Sequence, residues 1–245
     1  MAKLGGVIRL SSSDERNPTL DDQIERVGFG KFHCLAIFTF SCFIIADGME
    51  LVVSNITWSV LPREEWGLVG DSMRGTLISL SYFGFVVGTL IGGVGGDYIG
   101  RRPLLYIHSI IFIPASIASG LSQSIEQLLP LRFLVGVSIG IALPTVVTMA
   151  AELTPMSHRG KAIVILPSIA YTSGQILVLL LAIYLVSSYG YDCANCDWWR
   201  WMFVAGVFPD IVGIILVYTF VPESPRYLLI QVRLSLFVSY FLTLS

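Results

Sequence analysis

The sequence predicts an all-α polytopic membrane protein with six transmembrane helices. Three observations carry that prediction. Of 245 residues, 54% are hydrophobic and only 13% are charged, and the mean hydropathy is +0.76. Such a chain is too apolar for a soluble domain of this length. The apolar residues also fall into six runs, each about the twenty residues that a helix needs to cross a bilayer. Finally, only four charged residues, Asp47, Glu50, Arg132 and Asp210, fall inside the runs, and all the others lie outside them. Strands are excluded for such runs, because an open sheet would leave backbone N–H and C=O groups unpaired in lipid.

In chain order, residues 1–31 form a polar segment with Arg9, Arg16, Arg26 and Lys31 among acids. This segment lacks the short apolar stretch and small-residue site of a cleaved signal, so the first span is expected to serve as its own membrane signal. The spans are expected at about 32–53, 75–95, 103–121, 127–151, 162–186 and 201–221. Residues 32–221 thus form one membrane domain, and residues 222–245 follow it. Leu234 to Ser245 is uncharged, apolar and too short to span, a composition unlike a cytosolic loop. It is expected to come from a changed reading frame, a retained intron or an early stop, and to lie on the membrane or mark the chain for degradation. Gly84, Gly88 and Gly92 recur every four residues in the second span, and Gly136 and Gly140 in the fourth. Small residues on one face allow close helix contact. Pro114, Pro144, Pro167 and Pro209 fall inside spans and are expected to kink or locally break them.

Orientation follows from Lys and Arg. Eleven fall on one side: Lys3, Arg9, Arg16, Arg26 and Lys31 of the N-terminal segment, with Arg101, Arg102, Arg159, Lys161, Arg226 and Arg233. Three (Arg63, Arg74 and Arg200) lie in the opposite loops. This bias places the N-terminus in the cytoplasm of a plasma or vesicle membrane. Trp58, Trp66, Trp198, Trp199 and Trp201 then fall at the far side, where an aromatic belt is expected. Cys193 and Cys196 form a CxxC on that side, either bonded or as free thiols. Asn55-Ile56-Thr57 is a glycosylation sequon close to the end of the first span.

Charge inside a span is expensive, about 2.5 to 3.5 kcal/mol on insertion scales, so each such residue needs a partner, a wet cavity or a role. Asp47 and Glu50 share a face of the first span. Arg132 lies in the outer part of the fourth span, and Asp210 lies beside Pro209 in the sixth. Glu50 is near enough to the outer end for hydration, and Asp210 can cap a broken helix. Asp47 and Arg132, opposite in sign and several residues inside, form the expected pair. Ser168, Tyr171, Thr172 and Gln175 make a polar stripe on the fifth span that suits a cavity or a helix contact equally. His33, His108 and His158 are far apart in sequence, and no catalytic triad, cofactor motif or metal-ligand cluster appears. The charge pattern gives no nucleic-acid footprint.

The ten residues from Gly93 to Arg102 put charge into the break between the second and third spans. Their Gly-x3-Asp-x2-Gly-Arg-Arg spacing resembles the corresponding loop of the major facilitator superfamily. Tyr98 stands where many members carry a basic residue. Arg132 with Gly136 and Gly140, the stretch from Glu152 to Gly160, and Pro222-Glu223-Ser224-Pro225-Arg226 resemble sugar-porter-like members. Ala46-Asp47-Gly48-Met49-Glu50 and Trp199-Arg200 are similar to the branch holding synaptic vesicle glycoprotein 2 and the organic ion transporters.

The resemblance, over about residues 21–230, implies one six-helix half of a two-half transporter, built of two inverted three-helix repeats. This would be a partial chain of a secondary transporter for a small organic solute, an ion or a sugar-like molecule. A non-transporting receptor or regulator with the same fold is the alternative. Its partners would be the lipid bilayer, the solute, and the missing second half or a second copy. Asp47, Glu50, Arg132, Tyr171, Gln175 and Asp210 would serve proton coupling or the solute cavity, with the Asp47–Arg132 pair breaking on protonation. Asp97, Arg101, Arg102, Glu152, Arg159, Glu223 and Arg226 would form a cytoplasmic gating network. An ordinary basic loop and a fixed structural ion pair are the plainer readings of the same residues.

Overall fold

A computed structural model describes residues 24–25, 28–60, 71–189, 197–229 and 231, and these are mostly helical. Helix α1 is Lys31–Val60, α2 Asp71–Tyr98, α3 Arg101–Leu121 and α4 Ile125–Leu153. Span five begins with α5, Met156–Val164, passes through a π-helical turn, Ile165–Ala170, and continues as α6, Tyr171–Tyr189. Helix α7 is Trp198–Phe220. Among the described residues six helical stretches are long and apolar enough to cross a membrane, so the chain is an integral multi-pass protein.

The helix ends show why the runs stop where they do. Gly100 turns the chain between α2 and α3 at φ 101°, a backbone conformation that a side chain resists. Ser124 begins α4 as an N-cap, its hydroxyl accepting from the Gln127 N–H. Pro155 precedes α5, where its missing N–H costs nothing. The helices extend past the apolar runs because polar side chains near the ends bond back to the turn before them. In α1, which continues seven residues beyond the expected end, Ser54, Asn55 and Ser59 donate to the carbonyls of Glu50, Leu51 and Asn55. Asn55 of the sequon is therefore helical, and its companion Thr57 is buried. Trp58 also lies within α1 and is only 2% exposed, packed in a cluster with Met202 and Phe203. It is core, as are Trp198 and Trp199, whereas Trp201 is exposed. Trp66 and the CxxC lie outside the described residues.

Packing follows the small residues. Helix α2 lies most extensively on α4, where a Cβ at Gly84 or Gly88 would overlap the carbonyl oxygens of Phe133 or Val137. Gly136 and Gly140 of α4 meet the Ser81 and Phe85 carbonyls in the same way. Helix α1 packs on α6 and α7, and α3 on α4 and α7. Phe40, Phe43, Leu105, Met149 and Leu166 form one apolar core between them. Helices α2 and α6 leave long apolar faces open, with Phe83, Leu90, Leu180 and Ile183 exposed. The helix runs unbroken through Pro114, Pro144 and Pro209, whereas Pro167 sits in the π turn.

Candidate functional site

At one end of the bundle the breaks after spans two and four and the segment after span six come together. Glu223 Oε1 accepts from the backbone N–H of Arg101 at 3.0 Å and of Arg102 at 3.2 Å. It thereby caps α3, whose own N-cap residue has no side chain to do so. The Arg101 guanidinium reaches Glu152 and Asp97, each at 3.2 Å, and the Gly96 carbonyl at 3.0 Å. Glu152 also accepts from the Ser224 hydroxyl. Arg102 differs from expectation: its guanidinium donates to the Val217 and Tyr218 carbonyls. A cation there completes the C-terminal turn of α7, where the helix exposes carbonyl oxygens. Arg159 and Arg226 belong to α5 and to the short helical turn after α7, close in sequence to this cluster. On the same face the exposed Glu25 is held below the usual carboxylate range, chiefly by the Ser157 hydroxyl.

Deeper in the bundle, α1, α2, α4 and span five line a partly open cavity of about 250 Å³. Its wall carries Asp47, Glu50, Ser54, Arg132 and Tyr171, set among Tyr82, Phe85, Ile139 and Leu143. Asp47, Glu50 and Arg132 are each about 1% exposed. The expected Asp47–Arg132 pair does not form. Arg132 Nη1 lies 3.1 Å from Glu50 Oε2 and 3.3 Å from the Ser54 hydroxyl. The reason is axial level: Glu50 sits one turn nearer the end of α1 that meets the beginning of α4. The second Glu50 oxygen accepts from the Ser116 hydroxyl, and the Phe203 ring lies 4.6 Å beneath the guanidinium. Both Glu50 oxygens are thus bonded, whereas the Arg132 guanidinium is bonded, among the described residues, through Nη1 alone. Arg132 Nε and Nη2 and both Asp47 oxygens have no hydrogen-bond partner among the described residues.

Two expected cavity residues lie elsewhere. Gln175 is not on the wall, and its side chain is hydrogen-bonded with Tyr171. Ser168 and Thr172 are exposed, so the polar stripe does not face inward as a unit. The π turn ends at Ala170, and its wider winding changes the register from Ser168 to Tyr171. Asp210 is fully buried behind the cavity, where its Oδ1 meets His108 Nε2 at 3.0 Å. His108 carries no obvious sequence signal beyond being an ionisable residue inside a span, which alone makes it a functional candidate. His33 and His158, distant in sequence, both stack on Phe29.

The family model for "Sugar (and other) transporter" matches residues 30–236. The synaptic vesicle 2-related protein of Xenopus laevis is 32% identical over 216 residues, covering 86% of this chain and 37% of that protein. The 4-hydroxybenzoate transporter PcaK of Acinetobacter baylyi is 26% identical over 192 residues, covering 78% of this chain and 40% of the transporter. The chain thus spans about two fifths of the length of these curated relatives. Among solved structures, the partially occluded, inward-open xylose transporter XylE from E. coli superposes with a TM-score of 0.73. That match has 23% identity, over 82% of this chain and 51% of that one. Six spans covering half of such a fold are one of its two halves. The chain belongs to the sugar (and other) transporter family, within the sugar-porter-like part of the major facilitator superfamily.

Proposed function

We propose that this chain is one half of a secondary transporter whose solute is a small organic ion with an apolar body. The observation that carries this reading is a charged pair buried on the wall of a largely apolar cavity. In two-half transporters the solute sits at the midplane between the halves. Among the described residues, Arg132 Nε and Nη2 and both Asp47 oxygens are left without a hydrogen-bond partner. Tyr82, Phe85 and Tyr171 supply apolar surface beside them. An anionic solute would take the Arg132 donors, and a cationic one the Asp47 and Glu50 carboxylates. Relatives named as transporters of 4-hydroxybenzoate, niacin and glucose support a small organic solute. The N-terminus is assigned to the cytoplasm from the count of Lys and Arg on the two sides. The likeness to synaptic vesicle 2-related protein favours a second reading, in which the same cavity binds a ligand without moving it.

The test is equilibrium binding to the chain in lipid nanodiscs, with aromatic carboxylates, a nicotinate, organic cations, xylose and glucose as probes. Binding of a charged probe is expected, weakened at least about tenfold by Arg132→Met if the probe is an anion or by Asp47→Asn if it is a cation. Binding of sugars alone, indifferent to both substitutions, would overturn the proposed solute class.

A further inference from the structure

The pair behind the cavity holds something the solute site does not use. His108 Nδ1 lies 2.8 Å from the Ser138 carbonyl oxygen, and Nε2 lies 3.0 Å from Asp210 Oδ1. A carbonyl only accepts, so Nδ1 carries a hydrogen. The second contact then needs a proton between Nε2 and the carboxyl group. Either an imidazolium N–H donates to a carboxylate, or a carboxylic O–H donates to a neutral ring. Both have the same proton count. The remaining arrangement would set a nitrogen lone pair against a carboxylate charge with both side chains fully buried, a desolvation cost with nothing to offset it. Phe43 and Phe112 pack against the ring and hold it in place.

Asp47 joins this pair to the cavity. It lies on the cavity wall, one turn along α1 from Phe43, whose ring packs against His108, so its charge sits near the pair. Among the described residues, the other groups near the cluster are Cys42 and Glu50 of α1, the Ser138 carbonyl of α4, and Tyr171 at the start of α6. Arg132 of α4 is engaged by Glu50 and so does not neutralise Asp47. Asp210 Oδ2 and both Asp47 oxygens have no hydrogen-bond partner among the described residues. The cluster therefore has three carboxyl oxygens on which a further proton can sit.

We propose that His108 and Asp210 together are a proton-binding site, separate from the Glu50–Arg132 pair, that communicates with the cavity through the charge on Asp47. One proton is held between Nε2 and Oδ1, and a second enters from the cavity onto Asp47, which changes from carboxylate to carboxylic acid. The cluster then goes from a net charge of minus one to zero, and no other bond is made or broken. Its use in transport rests on the solute-transporter reading above, whereas its existence does not.

The experiment uses the 245-residue chain in nanodiscs with imidazole 15N label and His33→Gln and His158→Gln, leaving His108 as the sole histidine. The site predicts one of two signatures between about pH 6 and 8, the range in which a free imidazole titrates. These are two protonated ring nitrogens, or one protonated nitrogen together with an infrared carboxylic-acid band that moves in Asp210→Glu. A neutral ring without that band overturns the shared proton. The proposal also requires Asp47→Asn to move the His108 signal; an unchanged signal overturns the link to the cavity. Asp210→Glu retains the carboxyl group, so the test does not depend on a variant that leaves His108 buried alone. Solute binding that depends on Arg132 is read separately, so either idea can fail without the other.

Discussion

Gly88→Val is expected to separate the second and fourth spans and to be the most damaging single change in the bundle. A Cβ at this position would overlap the Val137 carbonyl oxygen, and Val137 belongs to the backbone of α4. Overpacking a core costs about 1 to 3 kcal/mol when side chains can move aside. A helix backbone cannot do so without displacing its neighbours, so the cost here is expected at or above about 3 kcal/mol. Gly93→Val is the control: it lies on the same helix, with nothing within 4 Å of an added Cβ. Its effect is expected to stay within about 0.5 kcal/mol, as for a surface change. The measurement is the thermal midpoint of each variant in mild detergent, read by fluorescence. Equal midpoints for the two variants would mean that α2 and α4 do not approach as closely as the structure shows.

Removing the partner of Arg132 comes second. Glu50→Leu leaves a guanidinium buried at about 1% exposure with no carboxylate, and breaking such a pair costs about 3 to 5 kcal/mol. Asp47→Asn is expected to cost far less, because neither Asp47 oxygen has a hydrogen-bond partner among the described residues. Arg132→Met in the Glu50→Leu background is expected to recover most of the loss, since an apolar pair of similar volume often matches a buried ion pair. Unfolding midpoints of the two single variants and the double variant form the check. A cost for Asp47→Asn equal to that of Glu50→Leu would restore the pairing expected from sequence.

The six spans were legible because length and hydropathy decide them before packing does. Their ends were less legible. Residues 54–60 read as an outer loop, yet the hydroxyls and amide there bond within α1 and Trp58 packs into the core. The close approach of α2 and α4 was legible from the spacing of Gly84, Gly88, Gly136 and Gly140, a local signal that tertiary structure preserved. Partnerships across the bundle were not. Helical periodicity puts Asp47 and Glu50 on one face, but which of them meets Arg132 depends on the relative height of two helices, which no single-helix pattern contains. His108 was passed over because its partner Asp210 is three spans away in the chain but adjacent in space. Arg101, Glu152 and Glu223 were read as one group from a family resemblance, and the structure does bring them together. Arg102 instead completes a helix end, a role that depends on where α7 stops.

The central claim is that this chain is half of a solute transporter, with a cavity that needs a second wall. Uptake into proteoliposomes made with fewer than one chain per vesicle tests it most directly, using whichever probe binds in nanodiscs. The account predicts no saturable uptake under those conditions. It also predicts saturable, Arg132-dependent or Asp47-dependent uptake when a second six-helix half is supplied, by a fused transporter half or by a second copy. Saturable uptake by dispersed single chains would contradict the half-transporter claim. Binding without uptake in any assembly would contradict transport itself and leave the ligand-receptor reading.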